Sequence, residues 1–403
     1  MTDGVFKGIN VLEFTLFGIG PNAGKYFSDF GATVIRVESS LRPDPTRMFT
    51  PYADGKPGIN RSVWWASYNT GKRSISLNLN HPKAMTVARR LIKWCDIVIE
   101  NFTPGVMEKW GLSYEECVKI KPDIIMVRLS NLGHTGPEST RRGTGGILQA
   151  LAGFADLLGW PDRGPCSPFG AISDQYPPVL AAASLIAALL YRRRTGKGQY
   201  FDFSQLECSV PYIGPLFLDY VVNGRIASRN GNKSPDAAPH GAYRCKGDDR
   251  WCAIAVFTDQ EWESFCSVIG NPQWTRGPRF ATLSARKENE DELDKLVEEW
   301  TINQLAEEVM SLMQAAGVLA GLVETTEDMH KDPQLKHRNH FPRLDHPEIG
   351  NYPARNNAFR LSKTQGQVKR SPCLGEDNEY VYRELLGMSE EEFVELLLDG
   401  VFE

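Results

Sequence analysis

One carboxylate in this sequence stands where it could do chemistry. Asp174 lies in FGAISDQYPPVLAAA, just ahead of two prolines and a run of small apolar residues. The context reads in two compatible ways. An Asp before prolines at the start of a helix is a good N-cap. It is also a candidate nucleophile, because the positive end of a helix dipole favours the anion and only the anion attacks a carbonyl. Two histidines are further candidates. His134, in SNLGHTGPE, has the type of a general base, but a Gly-His-Thr-Gly-Pro turn more often spends its imidazole on loop hydrogen bonds. His240, in AAPHG, has the same structural alternative, although its glycine-rich setting lets a substrate approach the backbone. Gly18, Gly20 and Gly24 follow a predicted strand and open a helix, and Glu38 ends the next strand. That comes close to the dinucleotide fingerprint, where amides hold a pyrophosphate and an acid about twenty residues on holds a ribose. The spacing is GxGxxxG with Pro21 inserted, which favours a structural turn over an NAD site. The run Arg192-Arg193-Arg194 reads as a solvated helix end complementing the dipole rather than as a phosphate clamp.

The elements that must position these residues alternate along the first 200 positions. Strands are expected at 9–15, 33–39, 96–102 and 123–130, and helices after the first turn, over 81–94 and over 114–119. Alternation of this kind predicts a parallel sheet with helices on both faces. The stretch VLAAASLIAALLYRR (179–193) predicts a helix whose all-round apolarity implies deep burial. The character changes over 223–242, which are rich in Gly, Asn, Ser and Pro and predict a linker or functional loop. A hairpin around Gly247-Asp248 follows over 242–257, then helices that end at glycine. The organisation expected is a large domain over 1–205, a linker over 206–224, a smaller α+β domain over 225–325, a second linker over 326–345, and a return to the large domain over 346–403.

Composition narrows the function classes. With 41% hydrophobic and 24% charged residues the chain reads as globular rather than disordered. Its length is too great for one ordinary core and suggests two domains, or one large domain with an insertion. No apolar run reaches the ~18 residues of a membrane span, and MTDGVFKGINVLEF lacks a secretory pattern, so a cytoplasmic protein without a membrane partner is expected. A net charge of -5 argues against a nucleic-acid partner. It does not exclude a polyanionic ligand held by a few local cations or helix N-termini. The eight cysteines show no zinc-type spacing, so free thiols and no metal are expected.

Taken in order, the motifs resemble those of the family III CoA-transferases, the CaiB/BaiF type. GINVLEFTLFGIGP, FGATVIRVES, NTGKRSISLNLN, ENFTPGVMEKWGL and VRLSNLGHTGP are followed by QALAG, the Ser173-Asp174 pair and RRRTGKGQYFDFSQLE. GNKSPDAAPHGAY, DDRWCAIAV, AAGVLAGLV, DPQL and PCLGEDN complete the series. Any one of these is weak; the whole series in register is specific. The resemblance implies an α/β fold with a Rossmann-like large domain built from both chain ends, a smaller α+β domain, and an interlocked dimer. It implies Asp174 as the nucleophile, with CoA thioester and carboxylic acid as substrates and no permanently bound cofactor. CoA contacts map to Lys72, Arg73, Leu77, Asn101, Phe102, Val106 and Lys109. Oxyanion donors and the substrate loop map to Gly18, Gly20, Gly231, His240 and Gly241.

Departures from the family pattern shape the specificity expected. Ser130 stands where some relatives carry lysine, Gly18 where some carry glutamine, and Tyr176-Pro177-Pro178 where a glycine is usual. The first two argue against a formyl/oxalate specificity and change the phosphate contacts expected, and the third is expected to reshape the acyl pocket. GWPD, RRRTGKGQY and DDRW look closest to transferases of bulky acids such as benzylsuccinate, with succinyl-CoA as donor. Trp64, Trp65 and Trp160 are candidates for an acyl pocket, against the plainer use as structural tryptophans. The rival α-methylacyl-CoA racemases pair an acid with a histidine that would fall in RRGTGG, where this chain has Thr144. A non-catalytic subunit of a heteromer, paired with a paralogous chain, is the third reading.

Overall fold

Six strands pair in parallel into one sheet: β1 (Asn10–Phe14), β2 (Thr33–Glu38), β3 (Arg73–Ser76), β4 (Ile97–Glu100), β5 (Ile125–Ser130) and β6 (Tyr200–Ser204). Their order is β3-β2-β1-β4-β5-β6. The computed structural model describes residues 4–403. Central strands of a sheet covered on both faces must be apolar on both faces, and β1 shows the sorting. Leu12 and Phe14 point into one core with Val98 and Met126. Val11 points into the other with Ile97, Ile125 and Val127, as the two-residue period of a strand requires.

The chain divides into two units. One comprises residues up to Asp156, Cys166–Ala227 and Lys336–Glu403; the other comprises Leu157–Pro165 and Ser228–Leu335. The short stretch 157–165, assigned from sequence to the large domain, groups with the smaller unit. The return to the larger unit begins at Lys336 rather than 346. In the larger unit the C-terminal segment completes the sheet. Asp377 and Asn378 accept hydrogen bonds from Ser74 N (2.9 Å) and Ser76 N (2.8 Å), closing the open edge of β3. Tyr382 and Phe402, stacked with centroids 4.1 Å apart, are buried in the same core as Leu12.

The smaller unit has its own core, including Tyr243, Ile254, Trp262, Phe265 and Met313. It contains the expected hairpin, β7 (His240–Arg244) and β8 (Trp251–Ala255), together with a third antiparallel strand, β9 (Leu319–Leu322). A two-stranded ribbon, β10 (Arg343–His346) and β11 (Gly350–Pro353), belongs to the larger unit.

The helix Pro177–Thr195 forms as predicted and ends at Gly196, whose φ of 72° is the left-handed geometry of a helix stop. The expectation of deep burial is corrected. Ala181, Ala182, Leu185 and Ala188 are buried, but Val179, Ile186, Leu190 and Tyr191 are exposed. The helix Gly214–Asn223 goes further, with none of its ten residues buried and Phe217, Leu218, Tyr220, Val221 and Val222 exposed. Among the described residues no helix is long and apolar enough to cross a membrane.

Candidate active site

Asp174 closes a short 3-10 turn, Ile172–Asp174, rather than capping the long helix. That helix takes Tyr176 at its N-cap and has no side-chain cap. The capping expectation is corrected by position: Asp174 lies two residues ahead of that N-cap, and the N–H of Val179, the third helical residue, donates to Tyr176 O (3.0 Å) instead. The turn is pinned from several sides. Ile172 N donates to Gln149 Oε1 (3.0 Å), Asp174 N to Ala171 O (2.8 Å), and Ser173 Oγ to Gly145 O (2.9 Å). Ala171 holds φ of 50°, and Phe17, beside Gly18, holds φ of 60°. Left-handed non-glycine residues cost about 1–3 kcal/mol each and persist where surrounding structure imposes them, often at functional sites.

The carboxylate itself is mostly shielded from water. Its Oδ1 accepts from Gln205 Nε2 at 2.9 Å, and the same nitrogen lies 3.2 Å from Ser173 O. Oδ2 faces glycine. A Cβ on Gly145 would stand 2.5 Å from Oδ2, and one on Gly18 3.4 Å from it and 3.0 Å from the Asp174 Cβ. Neither glycine has a positive φ, so space, not backbone freedom, requires them. Burial raises the Asp174 pKa, and the Gln205 hydrogen bond is what opposes the rise. Among the described residues no cation pairs with the carboxylate. Beside it, Asn22 Nδ2 donates to Asp174 O (3.4 Å). Gln175 Nε2 donates to Tyr68 Oη (2.8 Å), and the exposed Arg355 reaches Gln175 Oε1 and Asn22 Oδ1, each at 3.4 Å.

The sheet order reverses between β1 and β4, and ligands of open parallel sheets bind at the strand ends there. Asn101 spans this point. Its Oδ1 accepts from Leu16 N and its Nδ2 donates to Leu16 O, both at 2.7 Å, so the two strand exits are tied together. The Asn101 amide is thus spent on the scaffold. Gly20 leaves room for the Thr15 methyl, which a Cβ would meet at 2.5 Å, and Gly24 for Glu13 Oε1, at 1.5 Å. Glu38 is buried and paired with Arg47 Nε (2.9 Å) and Nη2 (2.8 Å). The glycine spacing is therefore a packing pattern, and the acid of the apparent dinucleotide fingerprint is not free for a ribose.

The residues expected to meet CoA separate into two groups. Lys72 is buried, with its ammonium bonded to Glu13 Oε2 (2.9 Å), Pro21 O (2.7 Å) and Asn69 Oδ1 (3.1 Å). Burial lowers its pKa to about 8. The Lys72 side chain is therefore spent on internal partners, which leaves its backbone for the CoA contact expected there. Leu77 is 1% exposed and packs in the core, so only its backbone remains to offer. Arg73 pairs with Asp377 Oδ1 (2.7 Å) and stacks over Tyr380. Phe102, Val106 and Lys109 sit at the β4 exit, with Phe102 edge-on to Trp110 and the Lys109 side chain exposed. Trp65 is fully buried with the Arg36 and Arg47 guanidiniums over its ring, a structural use, while Trp64 donates to Thr50 O (2.9 Å).

In the smaller unit, Gly231, His240 and Gly241 lie together. His240 Nδ1 is 2.5 Å from Asn232 O, and His240 and Gly241 line a cavity of about 840 Å³ with Trp160, Tyr243 and Trp251. Gly231 holds φ of 63° and packs on the Trp160 ring, where a Cβ would come within 2.5 Å. His134 is no general base in this arrangement: its ring is buried, 3.7 Å from Glu100 Oε1, and its pKa is lowered to about 4, chiefly by burial.

The family profile described as CoA-transferase family III matches residues 6–378. The chain belongs to that family. This CoA-transferase is 34% identical to the succinyl-CoA–D-citramalate CoA-transferase of Chloroflexus aurantiacus over 96% of both chains. It is 30% identical to the formyl-CoA:oxalate CoA-transferase of Afipia carboxidovorans, covering 98% of this chain and 96% of that one. A CaiB/BaiF family protein from Brucella suis superposes with a TM-score of 0.87 at 31% identity, over 95% of this chain and all of that one.

Two residues that lie against the Asp174 carboxylate carry no motif of their own in the sequence. Gly145 lies in RRGTGG, noticed only for its lack of histidine, and Gln205 in FDFSQLE, noticed only as the start of an element. The available signal was positional: Gln205 is the first residue after β6, at the strand end where ligands of parallel sheets collect.

Proposed function

We propose that this transferase moves CoA from an acyl-CoA donor to a carboxylic acid through covalent intermediates on Asp174. The observation that carries the reading is the carboxylate itself: shielded, unpaired with any cation among the described residues, and with one oxygen facing a recess cleared by two glycines. Oδ2 attacks the donor thioester carbon, the C–S bond breaks, and CoA thiolate leaves a mixed anhydride. The thiolate attacks Cγ of Asp174, the Cγ–Oδ2 bond breaks, and the donor acid departs, leaving an aspartyl-CoA thioester. The acceptor carboxylate then attacks Cγ and expels the thiolate. The thiolate attacks the acceptor's carbonyl and frees both the new acyl-CoA and Asp174. Each step passes through an oxyanion, and water must be kept from the anhydrides.

The CoA contacts proposed are Phe102, Val106, Lys109 and Arg73, with the backbone at Leu77 and Asn101. Gly18, Gly20 and the loop at Gly231, His240 and Gly241 are proposed as oxyanion and substrate elements. The substrates proposed are succinyl-CoA as donor and a dicarboxylic acid as acceptor, with benzylsuccinate the bulky member suggested by the sequence. Arg355 supports a diacid: its guanidinium stands one side chain from Asp174 with only neutral partners among the described residues. The relative named for D-citramalate acts on a diacid as well. We also propose an interlocked dimer of two copies, supported by the uncovered apolar faces of the helices Pro177–Thr195 and Gly214–Asn223. The decisive experiment is Asp174→Ala assayed by mass spectrometry with succinyl-CoA and a panel of acids. Loss of all exchange, together with an Asp174 adduct in the native protein, supports the mechanism; a variant that still transfers CoA refutes it.

A further inference from the structure

Gln205 is placed by the end of β6, where Ser204 caps the following helix by accepting from Glu207 N (3.2 Å). Its side chain is 2% exposed. The amide orientation follows from its neighbours: Ser173 O and Asp174 Oδ1 are both acceptors, so the NH2 group must face them, with one hydrogen for each. The donor is therefore fixed before any substrate binds. The two carboxylate oxygens are thereby made unlike. Oδ1 is held, and Oδ2 lies against the space left by Gly145 and Gly18.

We propose that Gln205 is a catalytic residue of the transfer: its amide N–H is the oxyanion donor for the aspartyl carbonyl, and it assigns Oδ2 as the attacking oxygen. The inference rests on Asp174 being the nucleophile. When thiolate attacks Cγ of the anhydride, or acceptor carboxylate attacks Cγ of the thioester, the electron pair of the Cγ=Oδ1 bond moves onto Oδ1. That atom is 2.9 Å from Gln205 Nε2, inside the range in which a preorganised donor acts. No proton is transferred. The pair returns as the Cγ–Oδ2 bond, or later the Cγ–S bond, breaks. In the first and last steps the charge develops on a substrate oxygen instead, so Gln205 serves only the two middle steps.

That division is what an experiment can read. Loss of one oxyanion donor typically costs ~10²–10³ in rate. Gln205→Met, close in shape but without a donor, should slow the middle steps by about that factor. After mixing with succinyl-CoA and an acid quench, the native protein should carry mainly the CoA adduct on Asp174, and the variant mainly the succinyl adduct. Gln205→Glu keeps the shape, and its carboxyl donates only when protonated. Its rate relative to the native protein should therefore rise as the pH falls, and it decides the matter should the methionine variant fail to fold. Adduct ratios and relative rates that match the native protein overturn the inference. Absence of any adduct on native Asp174 overturns the nucleophile reading itself, so the two failures are distinct.

Discussion

Gly145→Ala tests the recess directly. The new Cβ would stand 2.5 Å from Asp174 Oδ2, 2.6 Å from the Ala171 Cβ and 2.9 Å from Asp174 Cγ. Ordinary contact begins at roughly 3.4 Å, so the carboxylate must retreat by about 0.9 Å, away from the cleared side. Ala171 cannot yield easily, because its left-handed backbone is already pinned by the turn. A displacement near 1 Å of a reacting group costs about 10²-fold in rate. Stability should change far less. Gly145 is the first residue of the helix Gly145–Leu151, where alanine gains up to ~1 kcal/mol of helix propensity against ~1–3 kcal/mol of overpacking. The neighbour Gly146 is the control, since a Cβ there meets nothing within 4 Å. Succinyl-CoA consumption by liquid chromatography should fall about a hundredfold in Gly145→Ala and stay native-like in Gly146→Ala, with Tm measured for both. Native-like rates in Gly145→Ala, or equal loss in both variants, would refute the reasoning.

Lys72→Met leaves Glu13 buried without its closest cation, and breaking such a pair costs roughly 3–5 kcal/mol. Denaturant melts should show that loss, and a variant that keeps its stability but weakens CoA binding would restore Lys72 to the ligand. Arg355→Gln should raise KM for dicarboxylic acceptors about tenfold or more while sparing monocarboxylic ones. Equal effects on both would dissociate Arg355 from the distal carboxylate.

The parallel sheet was legible because buried strands are apolar on both faces and helices are amphipathic, and both patterns are local. β3 was not, because RSIS is short and its outer edge is closed by Asp377 and Asn378 from the far end of the chain. The helix Pro177–Thr195 was read correctly as a helix and wrongly as deeply buried. Its sequence is apolar all round whether or not the single chain covers every face. At the site, Asp174 stood out by residue type and motif, whereas its cap role failed because the helix begins later, at the Tyr176 N-cap. Lys72 was expected among the CoA contacts from the resemblance, and only the buried Glu13 beside its ammonium reveals a structural charge. Gln205 and Gly145 carry no local signature, since their meaning is a distance to a residue dozens of positions away.

The closure of β3 also sets a timetable for the growing chain. Its backbone donors wait for acceptors encoded 302 and 303 residues later. At ~5–20 residues per second of synthesis, that interval is roughly 15–60 s. Throughout it the nascent sheet has one unpaired margin, the geometry that invites strands from other chains. The segment around Asp377 and Asn378 thus acts as a seal, and a ribosome that stops short of it releases a sheet with an adhesive edge.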